Sequence, residues 1–257
     1  METTWPIFIF GPARSGTTLL RVLLHGHPRL VGLDELNFTT FIVRAYQQAL
    51  ATGPELWSIP GVDAEHLRRL VRAAHRGPRD AIAAAAGKPR WVDNTHTTND
   101  RLVEVLDDLY EGRCVYLLMR RHPGDIVASR IERWREDDPT LHTTELAGIA
   151  AAHAEMKTQI PERVHEVRYE DLVADADRVM AGVLEFLGES TDDYCASAAL
   201  RAGARGVRVG DHKIGRRPVV EGTSVGRWQT DLPREWVARL RADVAFGRCA
   251  EIWEYVA

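Results

Sequence analysis

Cysteine is scarce in this sequence, and the cysteines that occur are not paired. The three cysteines, Cys114, Cys195 and Cys249, are odd in number, widely spaced and without a CxxC pair, so they predict neither a disulfide framework nor a zinc ribbon. The ten histidines include no HExxH motif. We therefore expect a protein of a reducing compartment, the cytoplasm, that needs no metal ion.

Long apolar runs and an excess of positive charge are also absent. No stretch approaches the roughly 18 apolar residues needed to span a bilayer, and no secretion-type segment precedes the apolar residues 7–10. The formal net charge of -4 argues against a general polyanion binder. We expect no membrane insertion and no nucleic-acid partner, and a homodimer stays open.

Short apolar runs alternate with longer helical patterns. Strands are predicted at residues 7–10, 91–92, 114–119 and 164–169. Helices are predicted at residues 15–25, 35–51, 64–86, 99–109, 124–135, 143–159, 175–187 and 233–246. Such alternation requires crossover connections and hence a mainly parallel sheet between two helical layers. We expect a single domain over residues 1–257 with a P-loop-like three-layer α/β/α fold and a helical insertion at about residues 36–87.

The first predicted strand runs directly into residues 11–18, Gly-Pro-Ala-Arg-Ser-Gly-Thr-Thr, which we call the phosphate loop, and then into an apolar helix. Free N–H groups and the helix dipole make a helix N-terminus a phosphate site. Gly16 permits close backbone approach, Thr17 and Thr18 offer hydroxyls, and Arg14 adds a fixed charge. An ATP or GTP loop would read GxxxxGK[ST], whereas Thr17 stands at the Lys position. The loop therefore predicts a phosphate site of another kind.

The phosphate loop resembles the 5'-phosphosulfate loop of sulfotransferases, Pro-[Lys/Arg]-Ser-Gly-Thr-Thr. The matching run is Ala13-Arg14-Ser15-Gly16-Thr17-Thr18, in which Ala13 replaces the usual Pro, and Arg14 is the choice of the branch that includes tyrosylprotein sulfotransferases. The resemblance implies transfer of a sulfuryl group from 3'-phosphoadenosine 5'-phosphosulfate (PAPS) to a hydroxyl of a small-molecule acceptor, leaving 3',5'-bisphosphoadenosine (PAP). It also implies that the loop, including Ser15, holds the 5'-phosphate, with Arg14 stabilising the departing charge.

A second motif follows the third predicted strand. Arg121 comes just after the end of that strand and Ser129 eight residues later, which is similar to the 3'-phosphate motif of the same family. In a helix that begins near Gly124, Ser129 lies about one and a half turns in and can face the strand end. Arg121 and Ser129 could then bind one phosphate through a forked and a short hydrogen bond. Standing alone, the motif would more simply be an ordinary loop into a helix.

Two further segments resemble the same family with less specific motifs. Tyr169 lies in a Tyr-Glu-Asp-Leu run that resembles the family's segment near the adenine. Residues 210–228 resemble the loop that closes over the donor in many bacterial members. This resemblance implies Lys213 and Arg227 as cations for the 3'-phosphate and Trp228 as a side chain that packs near the nucleotide.

Sulfuryl transfer to a hydroxyl needs a base near the loop, and two residues qualify. Glu35 follows the loop helix at a distance from Arg14 that resembles that of the catalytic Glu in tyrosylprotein sulfotransferases. His96 follows the strand at residues 91–92, where cytosolic sulfotransferases carry Lys-x-His, although Asn94 replaces the Lys here. A helix-terminal Glu and a helix-capping His are the ordinary alternatives. Glu35 is preferred, in an in-line single displacement without a covalent enzyme intermediate.

Other functional classes fit less well. A nucleotide kinase would need the missing loop Lys and an Asp at a strand end for magnesium. A nucleotide-binding protein without turnover stays open while the base is unassigned. Residues 222–226 spell the GxSxG of serine hydrolases, but they follow a poor strand and no histidine comes after them, which excludes that class.

Overall fold

The computed structural model describes residues 5–33, 38–52, 63–95, 100–204 and 220–256. Its strands are β1 (Ile7–Phe10), β2 (Leu30–Gly32), β3 (Arg90–Thr95), β4 (Val115–Arg120) and β5 (Val164–Arg168). The helices in these ranges are α1 (Thr17–His25), α2 (Phe38–Thr52), α3 (Ala64–Ala85), α4 (Asp100–Tyr110), α5 (Pro123–Trp134), α6 (Thr143–Gln159), α7 (Tyr169–Ala174), α8 (Ala176–Leu187), α9 (Ala196–Ala204), α10 (Trp228–Asp231), α11 (Arg234–Ala242) and α12 (Val244–Ile252).

The strands form one parallel sheet in the order β2-β3-β1-β4-β5. Ile7 and Ile9 of β1 face a core with α1, α8 and α9. Phe8 and Phe10 face the opposite core, to which α2, α3 and α4 contribute. Burial on both faces explains why β1 and β4 are almost wholly apolar. The three-layer α/β prediction with a mainly parallel sheet is confirmed.

The sequence-based prediction missed strand β2 and four of the six residues of β3. β2 has only three residues at the sheet edge, too few for a pattern. β3 extends over six buried residues, of which Arg90, Asp93, Asn94 and Thr95 are polar. Two of these are compensated by buried ion pairs, Arg90 with Glu189 and Asp93 with an arginine of α3. A polar strand can be buried when its charges are paired in this way.

The predicted helix at residues 233–246 is wrong, because the structure breaks it at Asp243. The backbone of Asp243 is extended, with ψ of 123°, and its carboxylate accepts the Phe246 N–H at 2.8 Å. Asp competes well as an N-cap and poorly as a helix-interior residue. Two helices, α11 and α12, therefore replace one. With α5, α6 and α10 they build a third apolar core.

Helices α2 and α3 lie within the predicted insertion, whose limits stay a prediction. Pro78 sits inside α3 without ending it. Arg79 of α3 donates to Asp93 at 2.7 Å, and Thr39 of α2 donates to the same carboxylate at 2.8 Å. Both helices are thereby joined to β3. Within the described ranges, no helix has the length and apolar character that crossing a membrane requires.

Candidate functional site

The phosphate loop joins β1 to the N-terminus of α1. The Ser15 N–H donates to the Pro12 carbonyl at 3.1 Å, and Gly16 caps the helix with φ of 106°, in the left-handed region. A Cβ at Gly16 would lie 2.5 Å from Cδ2 of Tyr169, so only glycine fits there. The first turn of α1 contains no acidic residue. A phosphate at this terminus would meet N–H groups and a positive dipole end with no competing carboxylate in that turn.

The two predicted phosphate motifs meet directly. Nε of Arg14 donates to Oγ of Ser129 at 3.1 Å, which joins the phosphate loop to α5. Arg14 itself has φ of 76°, an unusual conformation for a residue with a Cβ. Ser129 was predicted to share a phosphate with Arg121, and this sharing stays a prediction. The observed partner of the Ser129 hydroxyl is Arg14.

Arg121 directly follows β4 and contacts the phosphate loop. It donates to the carbonyl of Arg14 at 2.9 Å and to that of Ser224 at 2.6 Å, and its guanidinium lies 4.4 Å from the ring centroid of Tyr169. Burial lowers the pKa of Arg121 from its usual value, but an arginine stays charged in proteins. The site thus contains a buried cation held by carbonyls and an aromatic face.

Tyr169 opens α7, directly after β5. Its ring packs on Gly16 and its hydroxyl hydrogen-bonds with Oγ of Ser224 at 2.8 Å. The structure therefore brings Arg14, Arg121, Ser129 and Tyr169 together around one glycine, from three separate parts of the chain.

Trp228 and Arg227 lie beside the N-terminus of α5. Trp228 is 1% exposed, and its ring lies so close to Gly124 that a Cβ there would be 2.4 Å from it. The backbone N–H of Trp228 donates to Oδ1 of Asp125 at 3.0 Å. Arg227 forms ion pairs with Asp231 and with Glu132. These contacts make Trp228 part of a core, and the donor-binding roles of both residues stay predictions.

Three predicted site residues, Glu35, His96 and Lys213, lie outside the described residues. The strands that lead toward the first two are described: β2 and β3 are parallel neighbours, with Gly32 beside Val92, and β3 pairs with β1. The carboxyl ends of parallel strands share one sheet edge, which is where such folds bind ligands. The assignment of the base stays a prediction.

Sequence reasoning missed several residues that support the site. Arg130, 1% exposed, donates to the Ala13 carbonyl at 3.3 Å and forms a two-pronged pair with Glu145 at 2.9 and 3.1 Å. Asp125 accepts the Gly226 N–H at 2.7 Å. The only signal for Arg130 was its place next to Ser129. The contact of Ser224 with Arg121 depends on the fold, and no spacing in the sequence indicates it.

Comparison with solved structures shows the same fold in several sulfotransferases. The sulfotransferase domain of the Synechococcus PCC 7002 olefin synthase has a TM-score of 0.69 at 22% identity, over 99% of this chain and 96% of that one. The sulfotransferase domain from the curacin biosynthetic pathway has a TM-score of 0.64 at 21% identity, over 98% of both chains. Mouse sulfotransferase SULT7A1, complexed with PAP, has a TM-score of 0.55 at 15% identity, over 100% of this chain and 90% of that one.

Relatives and a family model complete the comparison. Nodulation protein NoeE of Sinorhizobium fredii (strain NBRC 101917 / NGR234) is 28% identical over 89% of this chain, and an uncharacterized protein of Aquifex aeolicus (strain VF5) is 26% identical over 70%. The matches span only 61% and 25% of those two proteins. The model of the sulfotransferase family matches residues 6–193, well over half of the chain. This protein therefore belongs to the sulfotransferase family.

Proposed function

We propose that the protein transfers the sulfuryl group of PAPS to a hydroxyl of a small-molecule acceptor by in-line single displacement. One observation carries the proposal: Arg14, Arg121, Ser129 and Tyr169 converge on Gly16 at the N-terminus of α1. PAPS has two separate anionic groups and an aromatic base. Two cations, a helix N-terminus and an aromatic ring are the complementary set.

Two buried polar atoms support the fit of an anionic donor. Oγ of Ser15 in the loop and Nε of Arg121 are both buried, and neither makes a hydrogen bond within the described residues. Such atoms are costly unless a ligand satisfies them. The PAP complex of mouse SULT7A1, which shares the fold, supports the same choice of donor.

The chain's own residues have distinct roles in this proposal. The donor, when bound, supplies an activated sulfuryl group on a phosphate leaving group. Thr17, Thr18 and the loop N–H groups hold the 5'-phosphate, and Arg14 stabilises the charge that develops on it. Arg121 and Ser129 bind the 3'-phosphate, and Tyr169 lies near the adenine. Arg14 links the two phosphate positions, since its side chain bonds Ser129 and its carbonyl accepts from Arg121.

The base is proposed to be Glu35, with His96 as the alternative. The group that removes the acceptor proton must act on the side of the sulfur opposite the leaving phosphate. Glu35→Gln should keep PAP affinity and lose turnover, by about 100-fold or more. If Glu35→Gln turns over normally while His96→Asn does not, His96 is the base.

The kinase alternative receives no support from the described strands. None of them ends in an aspartate, and the one aspartate within a strand, Asp93, pairs with buried Arg79. A carboxylate already neutralised by an arginine is a poor magnesium ligand. The branch of the family indicated by Arg14 stays a prediction.

Calorimetry and an acceptor screen test the proposal. PAP should bind at least tenfold more tightly than ATP or 5'-AMP, because only PAP presents a 3'-phosphate to Arg121. Labelled PAPS, offered with phenols, alcohols, sugars and lipid-like hydroxyl compounds, should yield a sulfated product with at least one class. Tight ATP binding with indifference to PAP would overturn the assignment of the donor.

A further inference from the structure

The segment Trp253 to Val256, which follows α12, packs against the ends of β4 and β5. Arg120 donates to the Trp253 carbonyl, and the His122 ring hydrogen-bonds with the Val256 carbonyl at 2.9 Å. The Tyr255 hydroxyl donates to Oε2 of Glu170 at 2.6 Å. Arg120 and His122 flank Arg121 in the chain, and Glu170 follows Tyr169, so each partner is next to a residue of the proposed donor site.

Glu170 joins the two strand ends. Its Oε1 accepts the backbone N–H of His122 at 2.9 Å, while its Oε2 accepts from Tyr255. His122 follows Arg121 in the chain, and Glu170 follows Tyr169. One carboxylate therefore ties together the two backbone segments that carry the stacked pair of Arg121 and Tyr169, which is 4.4 Å apart.

Aromatic packing restrains the same turn. The His122 ring lies edge-on to Tyr255 at 5.2 Å and stacks on Trp228 at 5.2 Å. Arg168 lies over the other side of the cluster, 4.7 Å from the Tyr255 ring. Burial and the Glu170 charge raise the pKa of Tyr255, so its hydroxyl remains a proton donor to Glu170.

We propose that Tyr255 is a positioning residue for the 3'-phosphate site. The Tyr255 hydroxyl orients the Glu170 carboxylate, and Glu170 in turn holds the backbone N–H of His122. The turn at His122 then directs the Arg121 guanidinium along the face of Tyr169. Arg121 itself has no carboxylate ion pair within the described residues. Two carbonyls and the Tyr169 ring hold its guanidinium, and the backbone turn at His122 sets the position from which the side chain reaches them. This inference rests on the proposed function, because it assumes that Arg121 binds the 3'-phosphate of the donor.

The experiment compares two ligands that differ only in the 3'-phosphate. Calorimetric dissociation constants for PAP and 5'-AMP are measured with the wild-type chain, Tyr255→Phe and Glu170→Gln. In both variants PAP should bind about tenfold more weakly, because an Arg121 side chain that is less well positioned makes a weaker charge-assisted hydrogen bond to the 3'-phosphate. Affinity for 5'-AMP should change less than about twofold. The double variant should be no weaker than either single one, because both act through the same carboxylate.

Tyr46→Phe is a matched control. Tyr46 is also buried, and its hydroxyl donates to Asp108 at 2.5 Å, but it lies on α2 and pairs with α4. This variant should lower the melting temperature and leave the preference for PAP over 5'-AMP intact.

The outcomes separate the two proposals. A wild-type chain that prefers PAP, with variants whose preference is unchanged, overturns the role of Tyr255 and leaves the proposed function standing. A wild-type chain that binds PAP and 5'-AMP equally overturns the proposed function and this inference together. If Tyr255→Phe does not fold, Glu170→Gln alone decides in the same way.

Discussion

Two buried arginines, Arg79 and Arg121, have opposite surroundings. Arg79 is 3% exposed and donates to Asp93 at 2.7 Å, to Thr39 at 2.7 Å and to the His75 carbonyl at 2.7 Å. Arg121 is 6% exposed, but its partners are two carbonyls and the face of Tyr169. Among the described residues, a carboxylate neutralises the first cation and none forms an ion pair with the second.

We interpret this difference as that between a structural charge, Arg79, and a proposed binding charge, Arg121. A buried ion costs several kcal/mol unless it is paired. The Arg79 pair removes that cost within the protein, and it fastens α2 and α3 to β3. Arg121 has no such pair within the described residues; Asp125 and Glu170 act on its charge only from a longer distance, and an anionic ligand would pair with it directly. The comparison predicts that replacing the two arginines has opposite consequences for stability and for binding.

The largest effect is expected for Arg79→Met. Loss of this cation leaves the Asp93 carboxylate buried without its charge partner, which should lower the free energy of unfolding by about 3–5 kcal/mol. Urea denaturation measures the loss. PAP affinity of the remaining folded protein should be unchanged; a selective loss of binding would mean that Arg79 is not merely structural.

Arg121→Met should show the reverse pattern. PAP affinity should fall about 100-fold, which corresponds to about 2.7 kcal/mol. The free energy of unfolding should change by less than about 1 kcal/mol, because removal of a buried charge without an ion pair offsets the loss of its two hydrogen bonds to carbonyls. Calorimetry and urea denaturation of the same preparation measure both quantities. A strongly destabilised Arg121→Met with normal PAP affinity would reverse our comparison.

A smaller effect is expected for Ser129→Ala. The hydroxyl accepts from Arg14 and is proposed to contact the 3'-phosphate, so its loss should weaken PAP binding about tenfold. Ser190→Ala, at an exposed hydroxyl that bonds Asp192, is the control and should bind PAP normally. Equal affinities of Ser129→Ala and the wild-type chain would remove Ser129 from the 3'-phosphate site.

Mild acid should act on the structural side only, by lowering stability without selectively lowering PAP affinity. Burial and then Lys88 lower the pKa of His25 to about 4, and burial and then Arg79 lower the pKa of His75 well below its usual value. Both are neutral in the folded state and take up protons near pH 6.5 when unfolded. Their contribution to stability is complete above about pH 6.5 and is lost as the pH falls toward about 4. Urea denaturation from pH 7.5 to 5 measures the slope of the free energy of unfolding against pH. His25→Gln should reduce it, and an unchanged slope would exclude His25 as a cause.

The strand–turn–helix geometry of the phosphate loop was predictable because its parts are consecutive in sequence. Its binding of a phosphate stays a prediction, based on the anion affinity of helix N-termini. Arg121 and Ser129 were predictable as a motif, since about one and a half helical turns separate Ser129 from the helix start. Their observed contacts were not predictable. That Arg14 meets Ser129, and that Arg121 lies on Tyr169, depends on β4 lying between β1 and β5.

The polar part of β3 also could not be predicted from the sequence, because it depends on contacts between distant residues. A buried Asp93 contradicts the usual apolar pattern until Arg79, from another helix, supplies its partner. The burial of Trp228 likewise requires Gly124 of α5, where a Cβ would clash with the indole.

By itself, then, the sequence determined the α/β class, the phosphate loop and the family resemblance, because each depends on neighbours along the chain. Only the tertiary structure decided which buried arginine is neutralised and which is not. Charge compensation depends on distances of a few ångströms between residues far apart in sequence, and folding alone sets those distances. The Tyr255–Glu170 contact beneath the proposed donor site belongs to this second class.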